Sequence, residues 1–140
     1  MAFVDVGDFD GAEAAFQRMR ALTDIYFDPD DSRRAEPREH LAELALQRRD
    51  FAHAVQYAEE ALAIVVAEFG SDSELLCSSL DTAAEAHVAE RNLERAKELS
   101  EWAIRVFRLH RDDDSDEPEL LERCERRLAT IEEQRGRRKG

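Results

Sequence analysis

The sequence predicts an all-α fold built of antiparallel helix pairs that are joined by short turns. The first observation is a string that occurs three times at an equal spacing of 42 residues, at 7–12, 49–54 and 91–96. The second is a composition dominated by helix-forming residues, with only five Gly and three Pro. The third is an apolar pattern of three-and-four spacing between the turns, with no competing strand pattern. A fixed period of this size indicates stacked helical repeats.

Each predicted helix has one apolar face and a recognisable start or end. Pro37 fits within a first helical turn, and Gly70 suits a helix end because glycine accepts a left-handed conformation. We expect Asp72 or Ser73 to cap the fourth helix and Pro118 to start the sixth. A turn is predicted at residues 7–11. The six predicted helices begin near residues 12, 34, 51, 73, 93 and 118.

The composition excludes several classes of function. A net charge of −13 argues against nucleic acid or an anionic membrane as the partner, because phosphate contacts require a basic face. No apolar run is long enough to span a membrane, and the N-terminus lacks the pattern of a signal peptide. Cys77 and Cys124 are expected to be buried thiols in a reducing compartment, with a disulfide or redox pair as the alternative. We therefore predict a cytoplasmic location.

Small residues recur where two helices of a pair would cross. Ala42 and Ala54 are 12 residues apart, and so are Ala84 and Ala96 one period later. Another small residue follows at Ala61 and at Ala103, where the first copy has Met19 instead. Only a small side chain fits where helices cross closely.

This pattern resembles the tetratricopeptide repeat, in the 42-residue variant of kinesin light chains. The stretch at residues 61–72 is similar to the junction between repeats in that variant. The resemblance implies a right-handed superhelical stack over residues 1–134, with about three repeats. The first repeat would be truncated and the last helix would be a cap. Residues 135–140 would form a flexible basic tail.

The resemblance also implies that the first helix of each pair lines a concave groove. There Glu39 and Glu43 would form an acidic ladder with Asp81 and Glu85, which lie one period later. We therefore predict a non-catalytic adaptor or scaffold that binds a protein or peptide segment, expected to be basic. The alternative is that an acidic chain places carboxylates on every solvated face. The predicted groove residues are Glu36, Glu39, Glu43, Gln47, Asp81, Glu85, Val88, Arg123, Arg126 and Arg127.

The first copy of the repeat has only six residues before it, so most of its first helix is absent from the sequence. The face of the next helix would then be bare, which usually marks an interface. Three explanations compete: the chain is a piece of a longer repeat protein, it forms a homodimer through this end, or residues 1–6 and the linker fold over the face. Self-association is thus the alternative function. The predicted self-association residues are Phe3, Phe9, Ala12, Phe16 and Met19.

No pattern in the sequence predicts catalysis, a cofactor or a metal site. Residues 112–116 are rich in Asp but lack the mid-loop Gly and the terminal Glu of an EF-hand loop. The four histidines do not share a close metal-ligand spacing. No nucleophile stands in a pattern that pairs it with a base, and no phosphate-binding Gly loop occurs. We therefore expect the chain not to be an enzyme.

Overall fold

The computed structural model describes residues 8–110 and 118–139, and within these ranges the chain is all-helical. This confirms that the fold is all-α, as the sequence predicted. Two short 3₁₀ turns, Ser32–Arg34 and Glu74–Leu76, lead into the second and fourth helices. The α-helices are α1 (Asp8–Tyr26), α2 (Ala35–Gln47), α3 (Phe51–Phe69), α4 (Cys77–Ala89), α5 (Leu93–Leu109) and α6 (Pro118–Lys139).

The start of α1 differs from the prediction. The helix begins at Asp8, so Gly11 lies within it and not in a turn. One glycine costs a helix only about 1 kcal/mol, which neighbouring helix formers can offset. Residues 1–7 and 111–117, which include the Asp-rich stretch, lie outside the described residues, so no structure is assigned to them.

The repeated string marks the tight turn from α2 to α3 and from α4 to α5. Arg49 and Arg91 adopt positive φ angles of 62° and 67°. In the first turn the amide of Asp50 donates to the carbonyl of Ala45 at 2.8 Å, the bond that closes a Schellman motif. Asp50 and Asn92 then serve as the N-caps of α3 and α5. The string therefore encodes a helix end followed directly by a helix start.

The longer junctions also repeat. Gly70 ends α3 with a positive φ of 85°, as its residue type predicted. The hydroxyl of Ser73 accepts from the amide of Leu75 at 3.1 Å, so Ser73 and not Asp72 caps the turn before α4. Asp31, one period earlier, accepts from the amide of Arg33 at 2.9 Å in the same way. The two junctions thus start α2 and α4 by the same device.

Each helix packs against its neighbours in the chain, and α4 also contacts both α2 and α6. The alanines that the pattern assigned to helix crossings lie in the core. Ala42, Ala54 and Ala96 are fully buried, and Ala84 is 1% exposed. Both cysteines are buried, as predicted. Close crossing at small residues therefore holds the helix pairs together.

Candidate functional site

The predicted groove residues lie on α2, α4 and α6, and these helices contact one another in that order. The structure separates the set by exposure. Glu39, Val88 and Arg127 are half-buried, and Asp81 is buried. The exposed members are Glu36, Glu43, Gln47, Glu85, Arg123 and Arg126.

Asp81 is not the exposed groove carboxylate that the sequence predicted. It is 6% exposed, and α6 brings two guanidinium groups to it. Nη1 of Arg123 lies 2.9 Å from Oδ2, and Nη1 of Arg127 lies 2.6 Å from Oδ1. A buried carboxylate requires such pairing to offset its loss of hydration. Arg123 and Arg127 therefore neutralise Asp81, instead of forming a separate basic end of the groove.

Glu39 is also partly withdrawn from solvent. The hydroxyl of Ser79 on α4 donates a hydrogen bond of 2.6 Å to its Oε1 atom. Burial raises the pKa of the Glu39 carboxyl above its ordinary value, against the lowering effect of the Ser79 hydrogen bond. The first rung of the predicted ladder, Glu39 with Asp81, is therefore used within the fold.

The second rung remains available. Glu43 on α2 and Glu85 on α4 are exposed, and neither has a hydrogen-bond or ion-pair partner in the part of the chain that the structure describes. Glu36, seven residues before Glu43 on α2, is also exposed, and its Oε1 atom lies 4.0 Å from Nε2 of His40. Of the acidic residues predicted for the groove, Glu36, Glu43 and Glu85 are thus the exposed ones.

Most of the predicted self-association residues are partly covered. The ring of Phe16 stacks on His40 with centroids 4.9 Å apart, and the guanidinium of Arg48 lies 6.0 Å from the Phe9 ring. Ala12 is half-buried. These three residues are not the bare face that the sequence predicted, because α2 packs against this side of α1.

The exposed apolar face of α1 lies further round the helix. Met19 is 39% exposed and Leu22 is 47% exposed. Ile25 and Tyr26 are 72% and 75% exposed. These four residues are called the α1 apolar face below. Of the predicted set, Met19 belongs to it, whereas Phe3 lies outside the described residues.

The structure also contains a partly buried ionic cluster that no sequence pattern predicted. Arg95 on α5 donates two hydrogen bonds to Glu59 on α3, at 2.8 and 2.9 Å. Nε2 of His87 lies 2.7 Å from the same carboxylate. The Arg95 hydrogen bonds, aided by His87, lower the pKa of Glu59 to about 2. No spacing in the sequence pointed to this cluster, since its members come from three helices.

A second cluster joins the first three helices. Arg38 is 7% exposed, and its Nη2 atom lies 2.9 Å from Oδ2 of Asp24 on α1. Its Nε atom lies 3.1 Å from Oε1 of Glu60 on α3. The hydrogen bond from Arg38 lowers the pKa of the Asp24 carboxyl. Both clusters are paired within the fold, so their role is to fix neighbouring helices.

An open groove of about 660 Å³ runs between α5 and α6. Ile104, Leu128 and Ala129 provide apolar lining, and Leu109 provides more at one end. Charged side chains surround this apolar surface, among them Glu101, Arg105, Glu125 and Glu132. This is called the α5–α6 groove below. It combines apolar contact area with charged side chains, which suits it to a protein segment.

Within residues 8–110 and 118–139, no three His, Cys, Asp or Glu residues are grouped so that they could hold a metal ion. None of the helices described there is long and apolar enough to cross a membrane. In comparisons with known proteins, the chain matches no family model and no curated protein sequence.

Proposed function

We propose that this chain is a non-catalytic protein-interaction module, built as a superhelical stack like the tetratricopeptide repeats that its sequence resembles. The contacts between helices support this architecture. The backbones of α2 and α4 approach more closely than those of α3 and α5, as do those of α4 and α6. A stack of helix pairs with this asymmetry curves, with α2, α4 and α6 on the inner side.

The inner surface would bind a basic segment of a partner protein. The observation that carries this proposal is the exposure of Glu43 and Glu85, unpaired within the described chain and one period apart on adjacent helices. Packed helices lie about 8–10 Å apart, and an extended segment in the polyproline II conformation advances about 3.1 Å per residue with three residues per turn. A bound extended segment would therefore present a Lys or Arg at about every third position.

Fluorescence anisotropy with a labelled peptide that carries Lys at every third position tests this proposal. We expect the variant Glu43→Lys with Glu85→Lys to bind this peptide about tenfold more weakly, since an exposed ion pair contributes up to about 1 kcal/mol. A peptide with the same composition and Lys at consecutive positions should bind less well, because it cannot match both carboxylates.

The matched control reverses two other exposed carboxylates that also lie one period apart, Asp30→Lys with Asp72→Lys. Both are in junctions between helix pairs and away from the proposed contact. Both double variants have the same net charge. Once the non-specific effect of that charge is subtracted, the control should bind the peptide as the wild type does. Equal weakening in both double variants would mean non-specific attraction to an acidic protein, and would contradict a defined groove.

Self-association is the second candidate function, and the α1 apolar face is the observation that favours it. Four large apolar side chains lie side by side within two turns of one helix, each at least 39% exposed. Contiguous apolar surface of this kind marks an interaction site. Sedimentation equilibrium tests the proposal, because the wild-type chain should associate as its concentration rises and Leu22→Glu with Ile25→Glu should stay monomeric.

A further inference from the structure

The repeat register shows what kind of neighbour the α1 apolar face would accept. Ala15, Met19 and Leu22 of α1 stand one period before Tyr57, Ala61 and Ile64 of α3. Two periods later the same positions are Leu99, Ala103 and Val106 of α5. The α3 residues are at most 8% exposed and the α5 residues are fully buried, whereas the α1 residues are exposed.

Tyr57, Ala61 and Ile64 belong to α3, which packs on α2, and their α5 equivalents belong to α5, which packs on α4. In each pair the first helix packs on the second, and the hydroxyl of Tyr57 also accepts a hydrogen bond from Gln17 of α1, in the repeat before it. In the part of the chain that the structure describes, α1 has no preceding helix to cover the same face. The α1 apolar face therefore has the shape and chemistry of the surface with which a second helix packs on the first helix of its pair.

The other end of the stack shows the complementary situation. In the alignment of α6 with α4, Cys124 and Ile131 match Ser79 and Ala86, and all four are buried. They lie on the side of each helix that is covered by the helix before it. The other side of the two helices differs in exposure. Ala129 of α6 is exposed, whereas its equivalent Ala84 of α4 is 1% exposed.

The cause of this difference is α5, which covers Ala84 and its neighbours on α4. No helix among the described residues follows α6 to cover its corresponding side. That open side, together with α5, forms the α5–α6 groove. The groove is thus the position where a helix equivalent to α5 would pack, as the second helix of a pair whose first helix is α6.

We infer that α1 of one copy packs into the α5–α6 groove of a second copy, in the way that α5 packs on α4 within the chain. This inference rests on the second candidate function, self-association, and names the surface that receives the α1 apolar face. The occupant is a copy of this chain because α1 carries the repeat register that the groove requires. The interface is head-to-tail, so the copies form a ring or an open filament.

Complementation between two interface variants tests the inference by sedimentation velocity. The α1 variant is Leu22→Glu with Ile25→Glu, and the groove variant is Leu109→Glu with Ala129→Glu. All four positions are exposed, so both variants should fold, which their helical circular dichroism and cooperative melting would verify. Each variant alone should be monomeric. An equimolar mixture should form a 1:1 dimer, through the one intact α1 and the one intact groove that it contains.

Other outcomes separate the inference from the proposal on which it rests. If the groove variant alone associates as the wild type does, the α1 faces pair with each other; self-association then stands and the head-to-tail arrangement fails. If the wild type remains monomeric at high concentration, both fail.

Discussion

Arg127 donates a hydrogen bond of 2.6 Å to Oδ1 of Asp81, and this contact joins α6 to α4. Asp81 is 6% exposed, and the side chain of Arg127 is 13% exposed. Asp81→Asn would leave the Arg127 charge nearly buried and without its counter-charge. We expect this variant to lower the free energy of unfolding by about 3 kcal/mol, as measured by urea denaturation.

Arg123→Gln is the control for that prediction, because Arg123 contacts the same carboxylate from a side chain that is 56% exposed. Its loss should cost less than about 1 kcal/mol. If Asp81→Asn is as mild as Arg123→Gln, then Asp81 is not the structural anchor of α6.

The Glu59 cluster predicts a loss of stability in acid. The hydrogen bonds from Arg95 and His87 lower the pKa of Glu59 to about 2 from 4.5. A folded-state pKa below the unfolded value stabilises the fold fully above about pH 5, and this contribution disappears as the pH falls towards 2. The wild type should exceed Glu59→Gln in unfolding free energy by about 2 kcal/mol at neutral pH, with the gap closing below pH 4.

Glu98 provides the comparison for this pH dependence. It also contacts Arg95, at 3.1 Å, but its side chain is 65% exposed. The difference between the wild type and Glu98→Gln should therefore stay below about 1 kcal/mol at every pH. A Glu59 difference that does not change between pH 7 and pH 3 would contradict the lowered pKa of Glu59.

The 42-residue period predicts different effects on stability at equivalent positions of α1 and α3. Met19 is 39% exposed, whereas Ala61, one period later, is 1% exposed. Ala61→Met should lower the unfolding free energy by about 2 kcal/mol, because extra methylene groups do not fit a closely packed crossing. Met19→Ala should change it by less than about 0.5 kcal/mol. Thermal melting of the two variants at equal concentration measures this contrast.

The tight turns predict a stabilising substitution. Arg91 has a φ of 67°, a conformation that costs a residue with a Cβ atom about 1 kcal/mol relative to glycine. Arg91→Gly should therefore raise the unfolding free energy by about 0.5–1 kcal/mol. Its neighbour Glu90 has a φ of −80°, so Glu90→Gly should lower the unfolding free energy by a similar amount. Equal effects of the two variants would contradict the left-handed turn.

A buried hydroxyl predicts a second stabilising substitution. Ser100 is fully buried, and its Oγ atom has no hydrogen-bond partner among the described residues. The position one period earlier is Ala58, which is 3% exposed. Ser100→Ala should raise the unfolding free energy by about 1 kcal/mol, and Ala58→Ser should lower it. A loss of stability in Ser100→Ala would show that the hydroxyl has an unseen partner.

The sequence by itself determined the elements of this fold and their register. The string at residues 49–54 holds the left-handed turn residue, the N-cap and the crossing alanine, and all three act through contacts close along the chain. Local hydrogen bonds and helix periodicity are therefore readable without a structure. The crossing alanines at 42, 54, 84 and 96 were expected from the resemblance to the tetratricopeptide repeat, and all four lie in the core.

The tertiary structure alone decided which polar and apolar side chains reach solvent. The position of Asp81 on α4 predicts a groove carboxylate, but α6 folds back over it with Arg123 and Arg127. Met19 and Leu22 stand in register with buried residues of α3 and α5, yet no helix among those described covers them. The exposure of a side chain depends on which distant helix packs over it. A helical period specifies which residues share a face, but it does not specify which helix covers that face.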